Sequence, residues 1–139
     1  MARADFVKSK LNPQVYFSDF SNNLDMAPFS GDVAVLKNVD AVSNSIQNIV
    51  LTLLSERLYN NTIGCSVGFQ AFEIIGGFNE QLIDTAVRLA ITQNEPRATV
   101  VSVNTVIPST QNALEVVVSF YVINNPTLIS VSVIVVRSR

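Results

Sequence analysis

Glu95 and Arg97 flank Pro96 in a chain that is otherwise poor in charge, and acid–base chemistry would be sought here first. Glycoside hydrolysis needs only two carboxylates at a set separation. Of the eleven acids, Glu56 and Glu95 have the least surface-like sequence context. A general acid, however, must be held protonated near neutral pH, and a guanidinium beside it favours the ionised form. Sugar clefts are usually lined by aromatics, whereas this chain has no tryptophan and concentrates its aromatics in the N-terminal arm. A peptidoglycan hydrolase using Glu56 and Glu95 is therefore the remote alternative.

The rest of the inventory removes other chemistries. There is no histidine, which excludes His-based triads and His-ligated metals. The single cysteine, Cys65, cannot build a thiolate cluster and reads as a small packed residue beside Gly64. The five glycines form no phosphate-binding loop, so no cofactor is expected. Nine scattered basic residues in a chain of net charge −2 are not a nucleic-acid footprint. No apolar run approaches the ~20 residues that span a bilayer, and the N-terminus lacks a signal peptide's apolar stretch. The expectation is a soluble chain made in a cytoplasm, with no membrane partner. Charged residues are 14%, against about 25% in typical domains. So lightly charged a surface suits a subunit of a larger assembly.

Proline disfavours helical geometry in the residue before it, so Glu95 is expected where a helix stops and a strand starts. In an extended chain residues two apart share a face, which would set Glu95 and Arg97 side by side, in phase with Val101 and Val103. The guanidinium's donors then have two possible recipients, one within the fold and one on a neighbouring chain. The neighbour is the expected recipient.

The elements around this corner follow from periodicity. At 139 residues the chain is about one domain, divided into an extended arm over residues 1–31 and a single domain over 32–139. A short strand is expected near Val33–Lys37. Asp40 is the expected N-cap of a helix from Ala41 to Leu53, with Val42, Ile46, Ile49, Val50 and Leu53 as its apolar stripe. Leu54–Asn61 reads as a loop, and Gly76-Gly77 as a break. A second helix is predicted from Asn79, its cap, to Gln93, burying Leu82, Ile83, Ala86, Leu89 and Ala90, with Asp84 and Arg88 paired on its surface. Ala98–Ile107, Leu114–Ile123 and Leu128–Arg137 read as strands, joined by turns at Pro108–Asn112 and Asn124–Thr127. The predicted class is α+β, a two-layer sandwich of two main helices on a three-stranded antiparallel meander. Leu114, Val116, Val118, Phe120 and Val122 should face the core. The last strand becomes apolar on both faces, so its edge must be covered by the arm or by strands of another chain.

Ser45-Ile46-Gln47-Asn48-Ile49-Val50-Leu51-Thr52, Ser55-Glu56-Arg57, Ile63-Gly64-Cys65 and Asn94-Glu95-Pro96-Arg97 follow one another in order. Together they resemble the lysozyme-like baseplate wedge family of contractile-tailed bacteriophages, which includes the sheath-initiating subunit of type VI secretion systems. Val122-Ile123-Asn124-Asn125-Pro126 is similar to the family's turn before its last strand. The resemblance covers about residues 33–137. It departs at the loop, where Ser55 replaces a glycine and Leu58 a proline.

The resemblance implies a structural, non-enzymatic wedge subunit at the inner baseplate of a virion, assembled in the host bacterial cytoplasm and present in multiple copies in a ring. Its implied partners are other wedge proteins, the tail sheath protein, and tube or hub proteins. Glu95, Pro96 and Arg97, with Glu56 and Arg57, are expected to dock on the wedge core. Ile129, Val131, Val133, Val135 and Arg137 of the last strand are expected to meet the sheath. A type VI secretion sheath initiator is the alternative within the family.

Overall fold

The computed structural model describes residues 14–70, 78–106 and 113–136. A short hairpin comes first: β1 (Ser18–Phe20) pairs antiparallel with β2 (Val35–Lys37). Helix α1 (Val39–Leu51) follows, then a loop, the single turn α2 (Val67–Gln70) and the long helix α3 (Phe78–Asn94). Strands β3 (Ala98–Val106), β4 (Ala113–Val122) and β5 (Asn125–Val136) form an antiparallel meander in that order. The two long helices lie with this sheet around one core, as the α+β reading predicted.

On α1 four of the five predicted stripe residues, Val42, Ile46, Ile49 and Val50, lie in the core, each contributing about 1.5–3 kcal/mol relative to exposure, while Leu53 falls beyond the helix, which ends at Leu51, and is half-buried. The helix starts earlier than expected, because Asn38 rather than Asp40 stands at its N-cap position, at φ 48°. Its side chain leaves the helix end bare and ties down the arm instead. Asn38 Oδ1 accepts from the amides of Tyr16 at 2.8 Å and Phe17 at 3.3 Å, and Nδ2 donates to Gln14 O at 3.0 Å. The expected arm boundary at residues 31–32 falls at the tip of the hairpin that β1 and β2 close.

On α3 the buried side is Ile83, Val87, Ala90 and Ile91, while Leu82 and Leu89 are more than half exposed. Both sets recur at helical spacing. The one carrying β-branched residues meets the sheet, and the leucine set is turned away. The predicted Asp84–Arg88 pair does not form. Arg88 instead donates to the carbonyls of Val100 at 3.3 Å and Val101 at 3.0 Å on β3, and Asp84 accepts from Thr105 Oγ1 at 2.5 Å. These bonds fasten the helix along the outer edge of the sheet.

In the meander, Leu114, Val116, Val118, Phe120 and Val122 are all buried, matching the predicted core face of β4. The register of β3 against β4 shifts between Val100 and Ser102. This bulge reverses the phase beyond it, so Val103 is buried but Val101 is 46% exposed. Strand β5 begins at Asn125, three residues earlier than expected. A two-residue turn, Ile123-Asn124, with Asn124 at φ 70°, closes the hairpin. The break expected at Gly76-Gly77, the turn expected at Pro108–Asn112 and the arm before residue 14 lie outside the described residues.

Candidate functional site

The corner between α3 and β3 is a β-turn with Pro96 at its second position. Glu95 N donates to Ile91 O at 2.8 Å, ending the helix, and Ala98 N donates back to Glu95 O at 3.2 Å. Proline's fixed φ suits that position. The turn, not an extended segment, brings acid and base together. Ile123 N then donates to Arg97 O at 3.0 Å, pinning the corner to the β4–β5 hairpin.

Within this corner Glu95 is 2% exposed. Arg97 grips it in a fork, Nε to Oε1 at 2.6 Å and Nη2 to Oε2 at 2.6 Å, and its amide reaches Oε1 at 3.3 Å. Charge-assisted forked pairs are among the strong hydrogen-bonded arrangements. The Arg97 guanidinium lies 5.3 Å from the centre of the Phe17 ring, within cation–π range, and Asp19 adds a further favourable charge. Arg97 thus gives two of its donors to Glu95 inside the fold, where a neighbour was expected to take them. The reason is burial: a carboxylate this deep needs the nearest cation. Arg97 itself remains a third exposed.

Burial pushes the Glu95 pKa up, but the hydrogen bonds from Arg97 and Ser45 and the Arg97 charge outweigh it and hold the carboxyl below its ordinary 4.5. Glu95 is therefore a carboxylate at neutral pH and not a proton donor. A folded value below the unfolded one means that the clamp's stabilisation is complete above about pH 4.5 and is lost as pH falls through the lowered value. Glu95→Gln should accordingly flatten part of the acid limb of the stability profile. Thermal melts taken between about pH 7 and about pH 3 check this. An acid limb as steep as that of the wild type would count against the clamp.

The other predicted site residues are placed as follows. Glu56 turns back on its own loop, where Oε2 accepts from Leu53 N at 2.9 Å. Arg57 lines a cavity of about 210 Å³ with Asp19, Ser45, Asn48, Ile49, Ile63 and Asn94. Among the described residues it forms no ion pair. Arg57 is thus gathered beside the Glu95 corner through Ser45 and Asn94. On β5, Val131 and Val133 are buried, and Ile129 and Val135 pack against the core. Their pairing with the core face of β4, Val133 opposite Val116 and Val131 opposite Val118, dictates this. The side chains β5 offers outward are Ser130, Ser132, Ile134 and Val136, with Ile134 58% and Val136 70% exposed. Arg137 lies outside the described residues.

Three contributors to the corner were missed by sequence reasoning: Phe17, Asp19 and Ser45. Ser45 opens the helix motif that the resemblance rests on, and Phe17 is one of the arm's unexplained aromatics. Cys65 is buried, and burial raises its thiol pKa, which suits a packed residue rather than a nucleophile.

A family profile, that of the baseplate wedge protein gp25, matches residues 37–127. The baseplate wedge protein gp25 of Enterobacteria phage T4 is 26% identical over 110 residues, spanning 79% of this chain and 83% of the phage protein. Among solved structures, a protein described as a tail lysozyme from Geobacter sulfurreducens is similar with a TM-score of 0.63 at 22% identity, over 70% of this chain and 89% of that one. A chain of the anti-feeding prophage (AFP) baseplate is similar with a TM-score of 0.61 at 18% identity, over 88% of this chain and 87% of that one. At those identities the two structures speak for the fold.

Proposed function

Since the chain belongs to the baseplate wedge protein gp25 family, we propose that it is a structural baseplate wedge subunit of a contractile tail, one that contacts the wedge core near the tube and initiates sheath assembly by strand addition at β5. The observation that carries the sheath part is the state of the sheet's edge. Among the described residues β5 pairs only with β4, it runs for twelve residues, and it holds no lysine or proline in its last ten. Such an edge invites another strand.

The wedge part is supported by the corner at Pro96. Arg57, which forms no ion pair among the described residues, lines a polar cavity with Ser45 and Asn94, beside the corner where a third of Arg97 is exposed, and arginine is favoured where interfaces bind carboxylates and carbonyls. We read the role as structural rather than catalytic, because the one deeply buried acid among the described residues is neutralised by its own arginine.

The test uses the outer face of β5. Ser132→Lys with Ile134→Lys changes two exposed positions, leaves the core face intact, and sets lysines on the edge strand, a known deterrent to strand addition. The expected particles carry this subunit but lack an ordered sheath in electron micrographs. Normal sheaths on such particles would refute strand addition at β5. A wild-type chain absent from purified tails would refute the baseplate role itself.

A further inference from the structure

The β1–β2 hairpin turns its apolar side chains outward. Phe20 and Val35 stand opposite each other in the register and are 62% and 49% exposed. Met26, bridged to Val33, is 72% exposed, and Phe29 at the tip is fully so. A two-stranded hairpin is marginal in water on its own, and contiguous exposed apolar surface marks an interaction site. This hairpin is nevertheless well built. Its strands extend through Ser21 N to Ala34 O at 3.2 Å, Ala34 N to Asp25 O at 2.7 Å and Ala27 N to Asp32 O at 2.7 Å. Its root is held by the Asn38 bonds to residues 14–17, by Asn44 Nδ2 to Phe20 O at 3.0 Å, and by Phe17 against Arg97. An element preformed in this way binds without first losing its own chain entropy.

Charge identifies the occupant. Residues 14–37 carry Asp19, Asp25 and Asp32 against Lys37 alone. Asp19 is turned to Arg97, while Asp25 and Asp32, towards the tip, have no cation partner among the described residues. A second copy of this chain is poorly suited to meet them, because the chain carries a net charge of −2, and of its four cations among the described residues Arg88 and Arg97 are already bonded within the fold.

We propose that residues 14–37 are an interaction finger that seats Phe20, Met26 and Phe29 in an apolar groove rimmed by Lys and Arg on a different protein of the tail. The proposal rests on the baseplate reading above.

Two paired variants of the full chain test it, Met26→Ser with Phe29→Ser and Asp25→Lys with Asp32→Lys. All four side chains are exposed, so the isolated variants should melt like the wild type. In tails assembled with each variant, the copies of this chain per particle, counted by mass spectrometry, should fall about tenfold. A photo-cross-linking residue at position 29 should capture, in assembled wild-type-like tails, a peptide of another tail protein bearing Lys or Arg beside apolar residues. Undiminished incorporation of both variants overturns the proposal. So does a cross-link confined to this chain or to a second copy of it. Loss of incorporation by the β5 lysine variant alone, with both finger variants incorporated normally, would overturn the finger and leave the baseplate reading standing.

Discussion

Replacing Arg97 with alanine is expected to destabilise the isolated chain by about 3 kcal/mol. The fork to Glu95 is the only ion pair among the described residues, and its carboxylate is nearly sealed from water. Without the Arg97 side chain that charge keeps only the Ser45 hydrogen bond and the backbone amide of residue 97 to offset its desolvation. Breaking a buried pair from one side costs about 3–5 kcal/mol, and the lower figure applies because Arg97 opens a third of its own surface to solvent. Chemical denaturation at neutral pH measures the loss. The double variant Arg97→Ala with Glu95→Gln should recover part of it, since a neutral amide is cheaper to bury than a lone carboxylate. Arg97→Lys should recover little, because an ammonium cannot reproduce the fork. An alanine variant within 1 kcal/mol of the wild type, a margin typical of surface pairs, would mean that the clamp is not a structural element.

The second large effect is expected at Gly64. Its φ is +135°, and a β-carbon there would lie 2.8 Å from the backbone oxygens of both Leu53 and Thr52. Backbone cannot swing aside as a side chain can. The same oxygen of Thr52 accepts from Cys65 N at 2.8 Å, closing the loop that leaves α1, and Leu53 bridges Cys65 in parallel. Gly64→Ala should therefore cost about 2–4 kcal/mol from backbone strain and overpacking combined. The loop's exposed tip, Leu58 and Tyr59, should become a preferred site of limited proteolysis. An alanine variant with wild-type stability and an uncut loop would contradict this account of the closure. Ser55, in the same loop and in place of the family's glycine, sits at φ 69°, so the loop keeps the glycine-like backbone without the glycine.

Much of this was written in side-chain periodicity. The alternation of Leu114 to Val122 fixed the core face of β4, and the α1 stripe fixed its buried side, because each had one apolar set and no rival. Reading failed where two solutions shared one signal. On α3 the set with Leu82 and Leu89 and the set with Ile83, Val87 and Ile91 are both helical stripes, and only the sheet's position chooses between them. The bulge at Val100–Ser102 is a backbone event with no residue signature, so Val101 and Val103, read as in phase, fall on opposite faces. Val131 and Val133 were assigned to a partner through the resemblance, while the register against β4 turned them inward. At the corner, residue types and spacing were legible but depth was not. Whether Arg97 faces inward depends on Phe17 and Ser45, far from it in sequence.

The two rims of the meander are finished differently. Strand β3 has its bulge at mid-strand and the Arg88 guanidinium lying on the carbonyls of Val100 and Val101, while the irregularity of β5 is confined to its start, between Asn125 and Ile129, and no guanidinium lies on its carbonyls among the described residues. The sheet therefore has a polarity: one side is terminated and the other is available. Under the strand addition proposed above, a chain that lengthens it would do so from β5, and each copy would take on a single neighbour. A ring of such subunits would carry one nucleation site apiece, all pointing the same way around, and could not crosslink into a disordered sheet by joining at both rims.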